Sequence, residues 1–123
     1  KIFDPKTVLR ATIETSRMSI DSTLLAPMRY STGFMLGANP VGLFGPMTSN
    51  AFGHIGFSNI FCWADPQRDI SVSILNSGKS VVGTHLPALG NLLYQISKNC
   101  DKVLTKDRRS VFGHDLAKIH AAH

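Results

Sequence analysis

The chain has 123 residues and a formal net charge of +5, which is enough for one globular domain. Hydrophobic residues make up 43% and charged residues 17%, a composition typical of folded chains that excludes an intrinsically disordered protein. No apolar run approaches the roughly 20 residues that a membrane helix needs, so we expect no membrane span.

The N-terminal residues predict a short helix. Asp4 is a suitable N-cap and Pro5 suits the first helical position. Apolar residues at helical spacing continue to about Ser16, and the mixed residues 17–29 indicate a loop. The opening KIFDPKTVLR has no initiator Met and no apolar signal-peptide core. This opening suggests a fragment or a processed chain and leaves the localisation unknown.

Strand signals dominate the middle of the chain. Residues 29–36, RYSTGFML, predict one strand, and the glycine- and proline-rich residues 37–50 predict a loop. Residues 52–57, 60–64 and 70–76 then predict three more strands. The last two are joined by DPQRD, which has turn chemistry and makes the pair antiparallel. Cys62 lies inside this pattern, so we expect a buried free thiol; pairing with Cys100 stays open, although nothing in the sequence argues for it.

A second helix follows the strands. Thr84 is a candidate cap and Pro87 suits the first turn. Five apolar residues fall on one helical face: Leu86, Leu89, Leu92, Leu93 and Ile96. The predicted fold is therefore α+β, with an antiparallel sheet of about four strands and a C-terminal helix packed on it. We assign residues 1–100 to this domain.

Residues 101–123 form a basic tail that is either partly helical or disordered. From residue 98 onward, six Lys or Arg stand against three Asp. The tail has no aromatic interleaving and no nucleic-acid module signature, so we expect no nucleic-acid partner. His114, His120 and His123 raise the possibility of zinc, but no Cys or carboxylate completes such a site. We therefore predict no metal and no cofactor.

The most informative motif is FGHIGFSN, residues 52–59. On a strand, Phe52, His54 and Gly56 share one face, and Gly56 leaves the backbone open to close approach. A histidine there can exchange a proton or bind an anion, and backbone N–H groups can stabilise an oxyanion. The alternative is a β-bulge with a hydrogen-bonded histidine and no chemistry.

The stretch from 52 to 79, FGHIGFSNIFCWADPQRDISVSILNSGK, followed by the helix HLPALGNLLYQI, resembles the C-terminal part of the serine β-lactamase-like superfamily. That group contains class C β-lactamases, related esterases and penicillin-binding proteins. Its third motif is usually Lys-Thr-Gly, with His-x-Gly variants among esterase-like members, and His54-Ile55-Gly56 matches the variant. Upstream, STGF resembles the glycine–aromatic strand before the motif loop, and DPKTVLRAT resembles the Ser-Pro-Glu-Thr-Val-type helix. The resemblance covers roughly residues 2–98 and implies a partial β-lactamase/transpeptidase-like fold.

The resemblance implies acyl transfer through a serine, with an acyl-enzyme intermediate. His54 stands at the position of the motif Lys, where it would contact the substrate carboxylate or the nucleophile network. The N–H of Phe57 would be one oxyanion donor, and losing such a donor costs about 3–4 kcal/mol of transition-state stabilisation. Ile55, Gly56 and Ser58 would border the substrate, with Gly56 allowing it to lie against the strand.

The chain departs from the superfamily in the reactive groups. No serine has a lysine three residues later, so Ser-x-x-Lys is absent, and Tyr-x-Asn is absent as well. Without a nucleophile and a base, the motif strand cannot turn over an ester. The sequence thus predicts the C-terminal segment of a hydrolase for a small ester or amide, not active by itself.

Two functional hypotheses remain open from the sequence. In the first, the chain completes a serine hydrolase whose nucleophile lies on missing N-terminal sequence or on another chain. In the second, it is a non-catalytic binding or assembly module that retains the fold. In either case we expect uncovered apolar sheet surface, and hence association with the missing portion, another chain or a second copy.

Overall fold

Ten helices and strands succeed one another in the computed structural model, which describes residues 2–22, 26–56, 58–77 and 83–103. The elements are α1 (Pro5–Thr12), β1 (Glu14–Asp21), β2 (Ala26–Ser31), β3 (Met35–Leu36), β4 (Val41–Gly42), β5 (Gly45–Pro46), β6 (Phe52–Gly56), β7 (Ile60–Asp65), β8 (Ile70–Ile74) and α2 (Leu86–Asn99). The protein is therefore a small α+β fold, as the order of sequence signals predicted.

The main sheet is antiparallel and has six strands in the order β1-β2-β3-β6-β7-β8. Strands β4 and β5 form a separate two-stranded ribbon inside the predicted loop of residues 37–50. The DPQRD turn between β7 and β8 is confirmed: the Asp65 carboxylate accepts a hydrogen bond from the Gln67 N–H at 3.0 Å. The sheet has more than the expected four strands because β1 was not predicted and because the strand predicted over residues 29–36 is two strands, β2 and β3.

Three predictions for the N-terminal third were wrong. Much of the predicted loop of residues 17–29 lies in β1 and β2, which pair with each other. The predicted single strand of residues 29–36 is interrupted after Ser31, because the Ser31 N–H donates to the Phe34 carbonyl and turns the chain back on itself. The helix α1 begins at Pro5 as predicted, although the Asp4 side chain makes no capping hydrogen bond. The helix was also predicted too long, because it ends at Thr12 and residues 14–16 belong to β1.

An ion pair joins the two strands of the first hairpin, β1 and β2. The sequence of β1 has only a weak propensity to form a strand. The Arg29 guanidinium binds both carboxylate oxygens of Glu14, at 3.0 and 2.8 Å, and also donates to the carbonyls of Gly37 and Ser49. The bonds from Arg29 lower the pKa of Glu14 and raise that of Arg29. Tertiary contacts of this kind override the low strand propensity of β1.

The helix α2 was predicted in the right segment and with the right packing side, but its N-cap is His85 and not the predicted Thr84. It begins one residue after His85 with Pro87 in its first turn, and it buries Leu93 against the sheet, with Leu89 and Ile96 half-buried beside it. Two members of the predicted apolar face, Leu86 and Leu92, are instead exposed, the latter by 46%. The buried face of the helix is therefore narrower than predicted, and it includes the fully buried Ser97.

The core lies between α2, the loop of residues 37–50 and one face of the sheet. Its buried members are Phe44, Ala51, Phe61, Trp63 and Leu93. The Phe44 ring stacks on Trp63 with centroids 5.5 Å apart, a favourable aromatic arrangement. Gly45 has a φ of +107°, and a Cβ there would lie 2.7 Å from the Ser97 Cβ. Only glycine permits this approach of loop and helix.

Arg68 connects three elements beneath this core. Its side chain is 5% exposed and pairs with Asp65, which is 1% exposed, at 2.5 Å. It also donates to the carbonyls of Pro46 and Met47 at the ribbon, and to those of Ser97 and Cys100 at the C-terminal end of α2. These last carbonyls lack helical partners, so the guanidinium also caps the helix.

The sheet face away from α2 carries Cys62, whose thiol is exposed and free. The expectation of a buried thiol was wrong because Cys62 lies between Phe61 and Trp63, both of which turn toward the core. Cys100 is also free. The side chains of Met18 and Ile20 on β1 are exposed as well.

No helix within the described ranges is long and apolar enough to cross a membrane. The predicted basic tail lies outside the described residues from 104 onward, and His114, His120 and His123 lie outside them too.

Removing the Arg68 side chain should destabilise the protein strongly, because Asp65 would be left as an unpaired buried carboxylate. We expect Arg68→Ala to lower the free energy of unfolding by about 3–5 kcal/mol. Urea denaturation followed by circular dichroism measures this loss. Arg10→Ala, at an exposed position on α1, is the matched control and should change stability by less than about 0.5 kcal/mol. Equal effects of the two substitutions would contradict the bridging role of Arg68.

The Tyr30 hydroxyl donates to the Asp21 carboxylate at 2.6 Å, and this hydrogen bond, with burial and the Asp21 charge, raises the pKa of Tyr30 to about 12. Because the unfolded pKa is near 10, the bond stabilises the fold fully below pH 10 and its contribution is lost as the pH rises toward 12. Asp21→Asn should return the pKa of Tyr30 toward 10. Phenolate absorbance in a Tyr94→Phe background isolates this titration; an unchanged midpoint would disprove the coupling.

Candidate functional site

The candidate site lies on the open face of the sheet, which we define as the face opposite α2. His54 on β6, Cys62 on β7 and Ser73 on β8 are register partners across neighbouring strands, and all three are exposed. Directly opposed residues have Cβ atoms about 4.5–5.5 Å apart. An imidazole, a thiol and a hydroxyl therefore line up in one row across the open face.

The His54 ring has a defined orientation. Its Nδ1 lies 2.8 Å from the carbonyl oxygen of Ile55. A carbonyl only accepts, so Nδ1 carries the proton and donates, and in the neutral ring Nε2 is left with a free lone pair. The strand thus presents a proton acceptor at the open face.

The other predicted site residues divide between the two faces and the turn. Ile55 turns away from His54 and packs against the core cluster, so only its backbone borders the site. Gly56 ends β6 opposite Ile60, and Ser58 lies half-buried in the turn that follows. Phe57, the predicted oxyanion donor, lies outside the described residues.

Gly53 and Gly56, on either side of His54, differ in how much space the surrounding residues leave for a side chain. A Cβ on Gly53 would lie 2.2 Å from the Cys62 carbonyl oxygen and 2.5 Å from the Trp63 Cβ, so the core requires glycine there. A Cβ on Gly56 would lie 3.3 Å from the Ile60 Cβ, so Ile60 would have to move by a few tenths of an ångström. Packing therefore demands glycine more strictly at residue 53 than at residue 56.

Sequence reasoning missed a hydrogen-bonded cluster at the turn between β6 and β7. Asn59 has a φ of +59°, and its side-chain amide lies 2.9 Å from Nε2 of His85. The Asn76 side chain donates to the Asn59 carbonyl at 2.6 Å. A left-handed Asn is a recognisable turn signal. Nothing local connects it to a histidine 26 residues away.

Among the described residues, no group of three His, Cys, Asp or Glu side chains is placed to hold a metal ion. A shallow pocket on β1, lined by Glu14, Thr15, Ser16 and Met18, contains none of the predicted site residues.

No family model matches this chain, and comparison with curated proteins and with solved structures also found no match. The functional assignment accordingly depends on the residues and on their geometry.

Alanine substitutions at Gly53 and Gly56 should show which of the two glycines is required for packing. Gly53→Ala should lower the free energy of unfolding by several kcal/mol, because its methyl group collides with backbone and with the buried Trp63. Gly56→Ala should cost about 1 kcal/mol or less. Thermal and urea unfolding compare the pair directly. A larger loss at Gly56 than at Gly53 would refute the distinction.

Proposed function

We propose that the chain is the C-terminal segment of a β-lactamase-like serine hydrolase that cleaves a small ester or amide through an acyl-enzyme. It would supply the motif strand and the oxyanion wall, and the serine nucleophile would come from sequence outside these 123 residues. We also propose, beyond the observed α+β class, that the fold is part of a β-lactamase/transpeptidase-like domain.

The observation that supports the proposal is the arrangement around β6. The motif strand, the DPQRD hairpin and the terminal helix form one unit, with α2 on one face of the sheet and His54 exposed on the other. A motif residue that must reach a substrate needs this placement, because the opposite face is filled by Trp63 and Phe61. The strand therefore has a covered side for stability and a free side for chemistry.

His54 would act through Nε2 in either of its two candidate roles, because Nδ1 is bonded to the Ile55 carbonyl. In contact with a substrate carboxylate, the protonated ring would donate from Nε2–H. In the nucleophile network, the neutral ring would accept a proton from a hydroxyl at Nε2. Positioned proton transfer of this kind contributes about 10²- to 10⁴-fold to rate.

Next to His54 on the open face, Gly56 presents only its backbone. A Cβ on Gly56 would make one tight contact, at 3.3 Å to the Ile60 Cβ, and the lack of a side chain there fits a surface along which a substrate lies. In the proposal, the Phe57 N–H is the oxyanion donor, and Ser58 borders the substrate from the turn. The partner is the segment that carries Ser-x-x-Lys, either N-terminal in the same polypeptide or on another chain.

Hydrolysis of p-nitrophenyl butyrate and nitrocefin tests the proposal. We expect the 123-residue chain to be inactive and a longer gene product that includes a Ser-x-x-Lys segment to hydrolyse at least one of the two substrates. In that longer protein, His54→Ala should lower kcat/KM by roughly 10²-fold. Gly56→Ala should also reduce turnover while leaving unfolding nearly unchanged.

Gly90→Ala is the matched control, because a Cβ there on α2 meets nothing within 4 Å and only favours the helix. It should leave hydrolysis unchanged. Hydrolysis by the 123-residue chain alone would contradict the missing-nucleophile account. A longer protein that is folded and hydrolyses neither substrate would overturn the hydrolase and favour the non-catalytic binding or assembly module.

A further inference from the structure

The turn between β6 and β7 is held from outside its own hairpin. The Asn59 N–H closes the turn on the Gly56 carbonyl at 3.2 Å. Two further bonds reach Asn59 from distant sequence: Asn76 after β8 binds its carbonyl, and His85 before α2 binds its side chain. One residue thus joins the turn to the end of the sheet and to the start of the helix.

The chemistry of the Asn59–His85 bond fixes the state of the imidazole. The Asn59 Nδ2 group only donates, so Nε2 of His85 must accept, and the His85 proton must lie on Nδ1. This bond needs an acceptor at residue 85 and the neutral tautomer with Nδ1–H.

The far end of the bond is firmly anchored. His85 directly precedes α2, and its carbonyl accepts the Leu89 N–H at 3.0 Å. Further along α2, Leu93 is buried in the core and Arg68 binds the Ser97 carbonyl. A tether from Asn59 to His85 therefore relates the turn to the rigid helix-bearing side of the fold.

We infer that His85 is a positioning residue that fixes the β6–β7 turn through Asn59. This role rests on the proposed function, in which Ser58, next to Asn59, borders the substrate from the turn. A group beside a reacting substrate contributes most when it is held in place before the reaction. The motif strand holds Gly56, and the His85–Asn59 bond ties Asn59 to the start of α2.

Amide hydrogen exchange in the 123-residue chain tests the tether without any need for activity. We expect His85→Ala to speed exchange of the Asn59 amide roughly tenfold, because loss of one hydrogen bond loosens the turn locally. Amides of β7 and β8 should be unaffected. His85→Gln should restore protection to within about threefold, since its side-chain oxygen also accepts from Asn59.

Thr84→Ala is the control at the neighbouring exposed position and should leave exchange of the Asn59 amide unchanged. The unsubstituted protein provides a second readout: long-range ¹H–¹⁵N spectra at pH 8.5, where ordinary imidazoles are neutral, should show the Nδ1–H tautomer at His85. An Nε2–H tautomer, or equal exchange in His85→Ala and Thr84→Ala, would overturn the inference. Failure of the ester assay bears on the hydrolase alone, because exchange and tautomer are measured without substrate.

Discussion

Burial of the Arg68 guanidinium is the constraint on which the packing of this protein depends. A buried cation is costly unless it is paired and hydrogen-bonded, and Arg68 meets that condition only when three parts of the chain assemble around it. Asp65 supplies the countercharge, the ribbon supplies the carbonyls of Pro46 and Met47, and α2 supplies those of Ser97 and Cys100. Removing any one of the three would leave the others with unmatched polar groups.

This arrangement commits α2 and the loop of residues 37–50 to a single face of the sheet. With Ser97 donating to the Phe44 carbonyl and Gly45 lying against the same serine, loop and helix cannot separate without exposing Trp63. Strand alternation then turns His54 and Cys62 to the other face. The chemistry on the open face is thus a consequence of where the core had to be.

The sequence predicted the parts of the fold whose signals are local. Alternation in β8, the DPQRD turn and the existence of α2 each have a signal within one segment, and the structure bears them out. The leucine face of α2 is confirmed only in part, because Leu86 and Leu92 are exposed. The β1–β2 hairpin was missed because β1 has little local strand signal and is defined by its pairing with β2, which includes the Arg29–Glu14 ion pair between residues 15 apart. For the candidate site, alternation indicated that His54 shares a face with Phe52 and Gly56. The tether from Asn59 to His85 and the bridging role of Arg68, which appeared only as a turn residue, are long-range contacts that no local pattern reveals.

In the short motif around His54, Gly53 faces the core, whereas His54 and Gly56 lie on the open face. Gly53 and His54 are consecutive, so they point to opposite faces, and the demands on them are independent. Trp63 excludes a side chain at residue 53, whichever role His54 has. At residue 56, on the same face as His54, a side chain would meet only the half-buried Ile60 among the described residues, at 3.3 Å. The core therefore demands glycine there less strictly, and in the proposed hydrolase a substrate lying along the strand would be a second reason for it.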